Sequence, residues 1–195
     1  MYDLEQEAIQ KIEEARKCFK PRPISIISQQ CIGGVIYHDM GMQFLSPTIN
    51  LYFDAKDFIK FVENLKHYMN VAIDVKEEDG KIIGYIEDIR INFLHYKEVE
   101  LAKSKWEERA KRILWDKIFV ICTDRDGFDE ECFKRFEALP YKKALITRNK
   151  KWKDKDFCIY LNQYEKEDYI PDTIPKREFY IDNKIINLLN KWRFS

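Results

Sequence analysis

Apolar side chains recur every three or four positions in several stretches of the chain, which is the spacing of one buried helix face. This pattern predicts helices over residues 3–19 and 182–193, and helices that contain residues 58–69, 99–113 and 132–139. The polar positions between them are mostly charged, as on a solvated helix surface. The chain is therefore expected to build a core covered by amphipathic helices.

Runs of β-branched and apolar residues alternate with these helices and are typical of strands. Strands are predicted over residues 24–28, 89–95, 117–123 and 144–147. Residues 117–123 are almost continuously apolar, as in a central strand that is covered on both faces. After the first strand, Gly33 and Gly34 lead into a short helix that ends near Met40.

A turn signal, Asp79-Gly80, lies between two further β-rich runs at 71–75 and 81–86. It predicts an antiparallel hairpin, because Asp-Gly tolerates the positive φ of tight turns. The alternation of strands and helices predicts an α/β fold, a three-layer α/β/α architecture with a mostly parallel sheet. The length fits a single domain over 1–195. Residues 148–156, which include Trp152, have no apolar period and are predicted to form a solvated loop.

Charge and composition exclude several classes of protein. The chain has 34 basic and 34 acidic residues, so no overall field directs it to a nucleic acid or an acidic membrane. No nucleic-acid motif is present, and no apolar run approaches the roughly 18 residues of a membrane span. The acidic first residues lack the features of a secretory signal, so a cytoplasmic protein is predicted. Five scattered cysteines are typical of reduced thiols.

Three predicted strands end in polar clusters. In a parallel sheet, ligands bind beyond the carboxyl ends of the strands, where loops and helix N-termini converge. If the three strands are parallel neighbours, their clusters line one pocket. These candidate substrate-binding and catalytic residues are Ser28, Gln29, Gln30, Cys31, Gly33 and Gly34, then His95 and Tyr96, then Thr123, Asp124, Arg125 and Asp126.

Two of the clusters suggest phosphate or metal binding, and each has a structural alternative. Gly33 and Gly34 would let backbone N–H groups approach a phosphate at a helix start, or would only form a tight turn. Asp124 and Asp126 have a spacing that can hold a divalent ion such as Mg²⁺ or Mn²⁺. The same spacing also occurs in ordinary turns before a helix.

Nucleophilic and acid–base chemistry would fall to a cysteine and a histidine. Cys31 precedes a predicted helix and would be a reactive thiolate with His38 or His95 as its base, or a buried and inert thiol. His95 is the preferred acid or base because it lies at the carboxyl end of a strand. A hydrogen-bonded structural histidine is the alternative there.

A family resemblance adds to this interpretation. The residues that carry it are 28–41, 44–51, 93–96, 106–109 and 123–127. They resemble an uncharacterised bacterial family known as exopolysaccharide biosynthesis protein, found near capsule and surface-polysaccharide enzymes. In that family's pattern two Asn residues often precede the cysteine, whereas this chain has Gln29 and Gln30. The resemblance implies a role in surface polysaccharide assembly, with other proteins of that pathway as partners.

Residues and resemblance together favour a glycosyltransferase-like protein that binds a nucleotide sugar. In this hypothesis the glycine pair approaches the diphosphate, and Asp124 or Asp126 holds a divalent metal ion or a sugar hydroxyl. Arg125 offsets phosphate charge and His95 is the acid or base. Two alternatives stay open: a non-catalytic module of the same pathway that binds a glycan or a partner, and a small metal-dependent hydrolase that uses the two aspartates.

Overall fold

Strands and helices alternate along the chain in the computed structural model, which describes residues 6–191. In chain order the elements are α1 (Gln6–Cys18), β1 (Ser25–Ser28), α2 (Ile32–Asp39), α3 (Ala55–Glu63), α4 (Leu65–Tyr68), β2 (Asp74–Glu78), β3 (Lys81–Ile86), β4 (Ile89–Phe93), α5 (Val99–Ala110), β5 (Ile118–Thr123), α6 (Glu130–Ala138), β6 (Lys142–Thr147), β7 (Cys158–Tyr160) and α7 (Lys184–Asn190). Short 3₁₀ helices cover Lys150–Trp152, Asn162–Tyr164 and Glu178–Asn183. No helix within residues 6–191 has the length and apolar character that crossing a membrane requires.

The larger sheet has four parallel strands in the order β1-β5-β6-β7. β5 lies between β1 and β6, and all of its residues are buried. Its side chains alternate between the two faces: Val120 and Cys122 contact one hydrophobic cluster, and Phe119 and Ile121 contact the other. The predicted central strand and the predicted α/β fold with a largely parallel sheet are confirmed.

Helices cover both faces of the parallel sheet. On the face of Val120 the core is closed by α3, α5 and α6, which contribute Phe61, Trp106 and Phe133. On the opposite face α1, α2 and α7 contribute Ile12, Ile36 and Ile185. The predicted α/β/α layering follows from this burial on both sides, since each amphipathic helix covers one side of the sheet.

A second sheet of three antiparallel strands, in the order β2-β3-β4, packs on the side of α3 and α5. Asp79 and Gly80 turn from β2 to β3 with φ of 49° and 73°, which confirms the predicted hairpin. The expectation that 89–95 is a parallel neighbour of β1 and β5 is wrong. Ile89 pairs with Ile86 across a two-residue turn, whereas a parallel crossover needs about a dozen residues.

The structure departs from the predicted elements in the last third of the chain. β7 was not predicted, because its three residues are too short to show a period. Residues 148–156 are not wholly solvated, since Trp152 is buried and stacks on Phe133 with ring centroids 4.4 Å apart. The predicted closing helix over 182–193 begins at Lys184. The predictions for residues 3–5 and 192–193 lie outside the described residues.

Candidate functional site

The segment that connects α2 to α3, residues 40–54, brings the end of β1 beside β4, although the two strands belong to different sheets. The backbone of Tyr52 exchanges two 2.9 Å hydrogen bonds with Asn92 of β4. The next amide, that of Phe53, donates to the carbonyl oxygen of Gln29 at 3.0 Å. The segment therefore holds the loop after β1 and the end of β4 on its two sides.

The same segment reaches the loop after β5. The amide of Ala55 donates to the carbonyl oxygen of Asp126 at 2.9 Å, and the side-chain amide of Gln30 donates to Asp126 Oδ2 at 2.6 Å. Asp126 has a φ of 55°, a left-handed conformation in which Asp is among the more tolerated residues. The polar ends of β1, β4 and β5 thus lie close together, as the sequence predicted. However, β4 is held there by its pairing with Tyr52 and is not a parallel neighbour of β1 and β5.

These loops enclose a cleft of about 440 Å³ at the carboxyl end of the parallel sheet. Its lining residues are Gln30, Cys31, Tyr52, Leu94, His95, Arg125, Asp126, Asp172 and Ile174. The cleft is open to solvent, because Leu94, His95 and Asp126 are exposed. A volume of this size is within the range of small-molecule sites.

Five of the predicted site residues lie in the cleft: Gln30, Cys31, His95, Arg125 and Asp126. Two of them carry side chains without partners. The imidazole of His95 makes no hydrogen bond, and the guanidinium of Arg125 forms no ion pair, to any residue in the described range 6–191. Both groups are therefore free to contact a ligand.

Three predicted substrate-binding residues make buried contacts inside the protein instead. The buried Gln29 Oε1 accepts hydrogen bonds from the Thr123 amide at 2.9 Å and the Thr123 hydroxyl at 3.1 Å. The buried Ser28 amide donates to the Thr48 hydroxyl at 2.9 Å. Ser28, Gln29 and Thr123 do not line the cleft. The predicted contacts of these residues with substrate are corrected to links between neighbouring chain segments.

Gly33 and Gly34 are buried and do not line the cleft either. The Gly33 amide donates to Ser28 Oγ at 3.2 Å, and a Cβ at this position would lie 2.8 Å from Ser28 Cβ. A Cβ at Gly34 would lie 3.3 Å from Ile49 Cγ2. Gly33 lets α2 pack closely on β1 and Gly34 lets it pack closely on Ile49, and these contacts replace the predicted approach to a phosphate.

Asp124 and Asp126 turn to opposite sides of β5, so they do not form the predicted pair of metal ligands. Asp124 Oδ2 accepts from the Thr147 hydroxyl at 2.7 Å and the Arg148 amide at 2.9 Å, on the β6 side. Burial raises the pKa of Asp124, and its Oδ1 is buried without a hydrogen bond to any described residue. No group of three or more His, Cys, Asp or Glu residues within 6–191 is arranged to hold a metal ion.

Cys31 does not have the character of an activated thiolate. Burial, and to a smaller extent the negative charge of Asp172, raises the pKa of its thiol to about 11. His38, one of its two predicted bases, is exposed on α2 beside Asp39 and does not line the cleft. A thiol with a raised pKa is a poor nucleophile at neutral pH.

Tyr96 does not line the cleft. Its hydroxyl accepts a 2.7 Å hydrogen bond from Arg109, and its ring packs edge-on against Phe93 at 5.4 Å. Its hydroxyl also donates to the carbonyl oxygen of Ile49 at 3.4 Å. The predicted substrate contact of Tyr96 is therefore replaced by a contact between α5 and the end of β4.

Sequence reasoning missed Tyr52, Leu94, Asp172 and Ile174, which complete the cleft. Burial raises the pKa of Tyr52, and the nearby charges of Asp54 and Asp126 act in the same direction. Asp172 and Ile174 come from a loop in the C-terminal part of the chain. The available signal was two prolines, at 171 and 175, which flank the pair and are typical of a rigid connection.

The fold and the cleft define a class: an α/β protein whose parallel strand ends frame an open polar cleft beside a small antiparallel sheet. The family model described as a domain of unknown function, DUF1919, matches residues 3–193, and the chain belongs to this family. A Haemophilus influenzae protein described as an uncharacterized protein is 32% identical over 150 residues, which cover 76% of this chain and 73% of that protein. The predicted membership of an uncharacterised family is thereby shown.

Proposed function

We propose that the cleft binds a carbohydrate and that the protein acts in surface polysaccharide assembly, the role that the sequence resemblance implies. One observation carries the proposal: apolar and polar groups from separate segments line one open cleft of about 440 Å³. Tyr52, Leu94 and Ile174 offer apolar surface to the C–H face of a sugar ring. Polar groups of Gln30 and Asp126 are placed to accept hydrogen bonds from its hydroxyls.

The lining favours the sugar over a diphosphate as the main recognised group. Gly33 and Gly34 are buried, so their amides do not contribute to phosphate binding. Among the described lining residues, Arg125 is the single permanent cation beside two carboxylates, Asp126 and Asp172. A pyrophosphate binding site usually has several donors or cations. Glycan binding therefore explains the site with fewer assumptions than metal-dependent transfer or hydrolysis, which would require Asp124 and Asp126 to converge.

Binding is tested by isothermal titration calorimetry with methyl glycosides, oligosaccharides and nucleotide sugars. Tyr52→Ala removes the apolar wall and leaves the backbone pairing with Asn92 intact, so we expect affinity to fall by at least about tenfold. The matched control is Tyr169→Ala, because Tyr169 is 61% exposed and outside the cleft. Absence of heat with every saccharide contradicts the proposal.

A second candidate, transfer of a sugar from a nucleotide donor, is favoured by the two partnerless side chains His95 and Arg125. In this reaction the acceptor oxygen bonds to the anomeric carbon while the bond from that carbon to the diphosphate breaks. The acceptor proton passes to His95, and the diphosphate leaves with the electron pair beside Arg125. Release of nucleoside diphosphate is the assay, and His95→Asn is expected to lower kcat by about a hundredfold or more.

A further inference from the structure

Asp172 adds to the cleft a second carboxylate that sequence analysis did not predict. Among the described lining residues the fixed charges are those of Arg125, Asp126 and Asp172, so no second cation balances it. The balance is one positive charge against two negative charges when His95 is neutral. A bound anion would therefore add to an excess of negative charge.

The carboxylate of Asp172 is held in position by its own loop. Asp172 Oδ1 accepts a 2.9 Å hydrogen bond from the amide of Ile174, the other cleft residue of this loop. Its second oxygen makes no hydrogen bond to any residue in the range 6–191, and the residue is exposed. The charge of Asp172 reaches the cleft, since it contributes to raising the pKa of Cys31.

A buried ion pair fixes this loop to the rest of the fold. Arg177 donates from Nε to Asp39 Oδ2 at 2.7 Å and from Nη2 to Asp39 Oδ1 at 3.2 Å, and both side chains are at most 5% exposed. The Tyr180 hydroxyl donates to the same carboxylate at 3.1 Å. Arg177 also donates to the carbonyl oxygen of Ile174. Asp39 ends α2, the helix that begins directly after Cys31, so one helix connects the anchored loop to a second residue of the cleft lining.

We propose that Asp172 is a specificity-determining residue that makes the cleft select neutral and amino-substituted sugars and reject sugars that carry a carboxylate. The inference rests on the proposed carbohydrate binding and names the class of sugar. A hydroxymethyl or ammonium group can donate to the free oxygen of Asp172, whereas a carboxylate cannot donate and is repelled.

The test uses the full chain and three matched pairs of methyl glycosides: those of glucose, galactose and mannose, each with its uronic acid. The members of a pair differ only at C6, so their affinity ratio measures the combined effect of the lost hydroxyl donor and the added negative charge. By calorimetry we expect each neutral glycoside that binds to bind at least about tenfold more tightly than its uronic acid. The ratio should shrink as salt is raised, because an open cleft is screened.

Asp172→Asn keeps the side-chain carbonyl that accepts from Ile174 and removes the charge, so the ratio should fall to about twofold or less. Asp168→Asn, an exposed neighbour outside the cleft, is the control and should leave the ratio unchanged. Equal binding of a neutral sugar and its uronic acid by the wild type overturns this inference and leaves carbohydrate binding standing. An unchanged ratio in Asp172→Asn also overturns it. No binding of any glycoside overturns both.

Discussion

Gln30 and Asp126, two neighbouring residues of the cleft lining, are joined by a 2.6 Å hydrogen bond from the side-chain amide to the carboxylate. The bond connects the loop after β1 with the loop after β5, two loops that are 96 positions apart in the sequence. The preceding residue, Gln29, makes its contacts in the opposite direction, inside the sheet. The two neighbouring glutamines therefore make different contacts: Gln30 bonds to Asp126 in the cleft, and Gln29 bonds to Thr123 in the core.

The first prediction separates these two sets of contacts. Gln29→Ala leaves the Thr123 amide and hydroxyl without their acceptor in a fully buried environment, so we expect the free energy of unfolding to fall by about 2–4 kcal/mol. Gln30→Ala removes one contact at a solvent-accessible position and should cost less than about 1 kcal/mol. Urea denaturation measures both. Equal losses in the two variants would mean that Gln29 does not act as the internal link described here.

The second prediction concerns the glycines at the start of α2. Gly33→Ala places a methyl group 2.8 Å from Ser28 Cβ, where the neighbour is attached directly to the backbone, so we expect a loss of about 1–3 kcal/mol. Gly34→Ala is the matched control, because its methyl group would lie 3.3 Å from a branch of Ile49 and should be better tolerated. Thermal unfolding ranks the two variants. A phosphate-binding role would instead show as a loss of ligand affinity with unchanged stability.

The third prediction concerns the thiol of Cys31. Because burial raises its pKa to about 11, the reactive thiolate is scarce at neutral pH and becomes more abundant as pH rises toward that value. Alkylation by iodoacetamide should therefore be slow at pH 7.5 and still accelerate between pH 9 and pH 10. Peptide mass spectrometry follows Cys31, and the exposed Cys18 in the same sample shows that the reagent is active. Rapid alkylation of Cys31 at pH 7 would restore the case for a nucleophilic cysteine.

The fourth prediction addresses the buried ion pair. Arg177→Gln leaves the Asp39 carboxylate buried without its cation and should destabilise the protein by about 3–5 kcal/mol. In the double variant Asp39→Asn with Arg177→Gln no unpaired charge stays behind, so the loss should be smaller than in the single variant. Urea denaturation of the two variants and the wild type gives the comparison. A double variant that is less stable than the single one would contradict this account.

Much of the fold could be predicted because local signals and tertiary structure agree. The unbroken apolar run of β5 is what burial between two helical layers requires, and Asp79-Gly80 suits a tight turn in any context. The partner strand of β4 was predicted wrongly, because the alternation of buried and exposed side chains along a strand is the same beside a parallel or an antiparallel neighbour. The deciding feature is the short link after Ile86, which leaves no room for a crossover.

The site was less predictable for a physical reason. Gln29 and Gln30 have the same side chain, and only the position of Thr123 across the sheet decides that the first is an internal link. The role of Asp172 depends on a loop that has no hydrophobic period and reaches the cleft through contacts distant in the sequence. Spacing along the chain also placed Asp124 and Asp126 together, whereas their hydrogen bonds lie on opposite sides of β5.

The pairing of Asp39 with Arg177 spans 138 positions, so it also sets an order of assembly. During synthesis the chain emerges from the ribosome from its N-terminal end, and β1, α2 and β5 are available well before residue 177. Until Arg177 emerges, Asp39 lacks its cation and the loop with Asp172 is not fixed beside Cys31. A nascent protein with its parallel strands already paired therefore has no finished site, and ligand recognition begins only after Arg177 has joined Asp39.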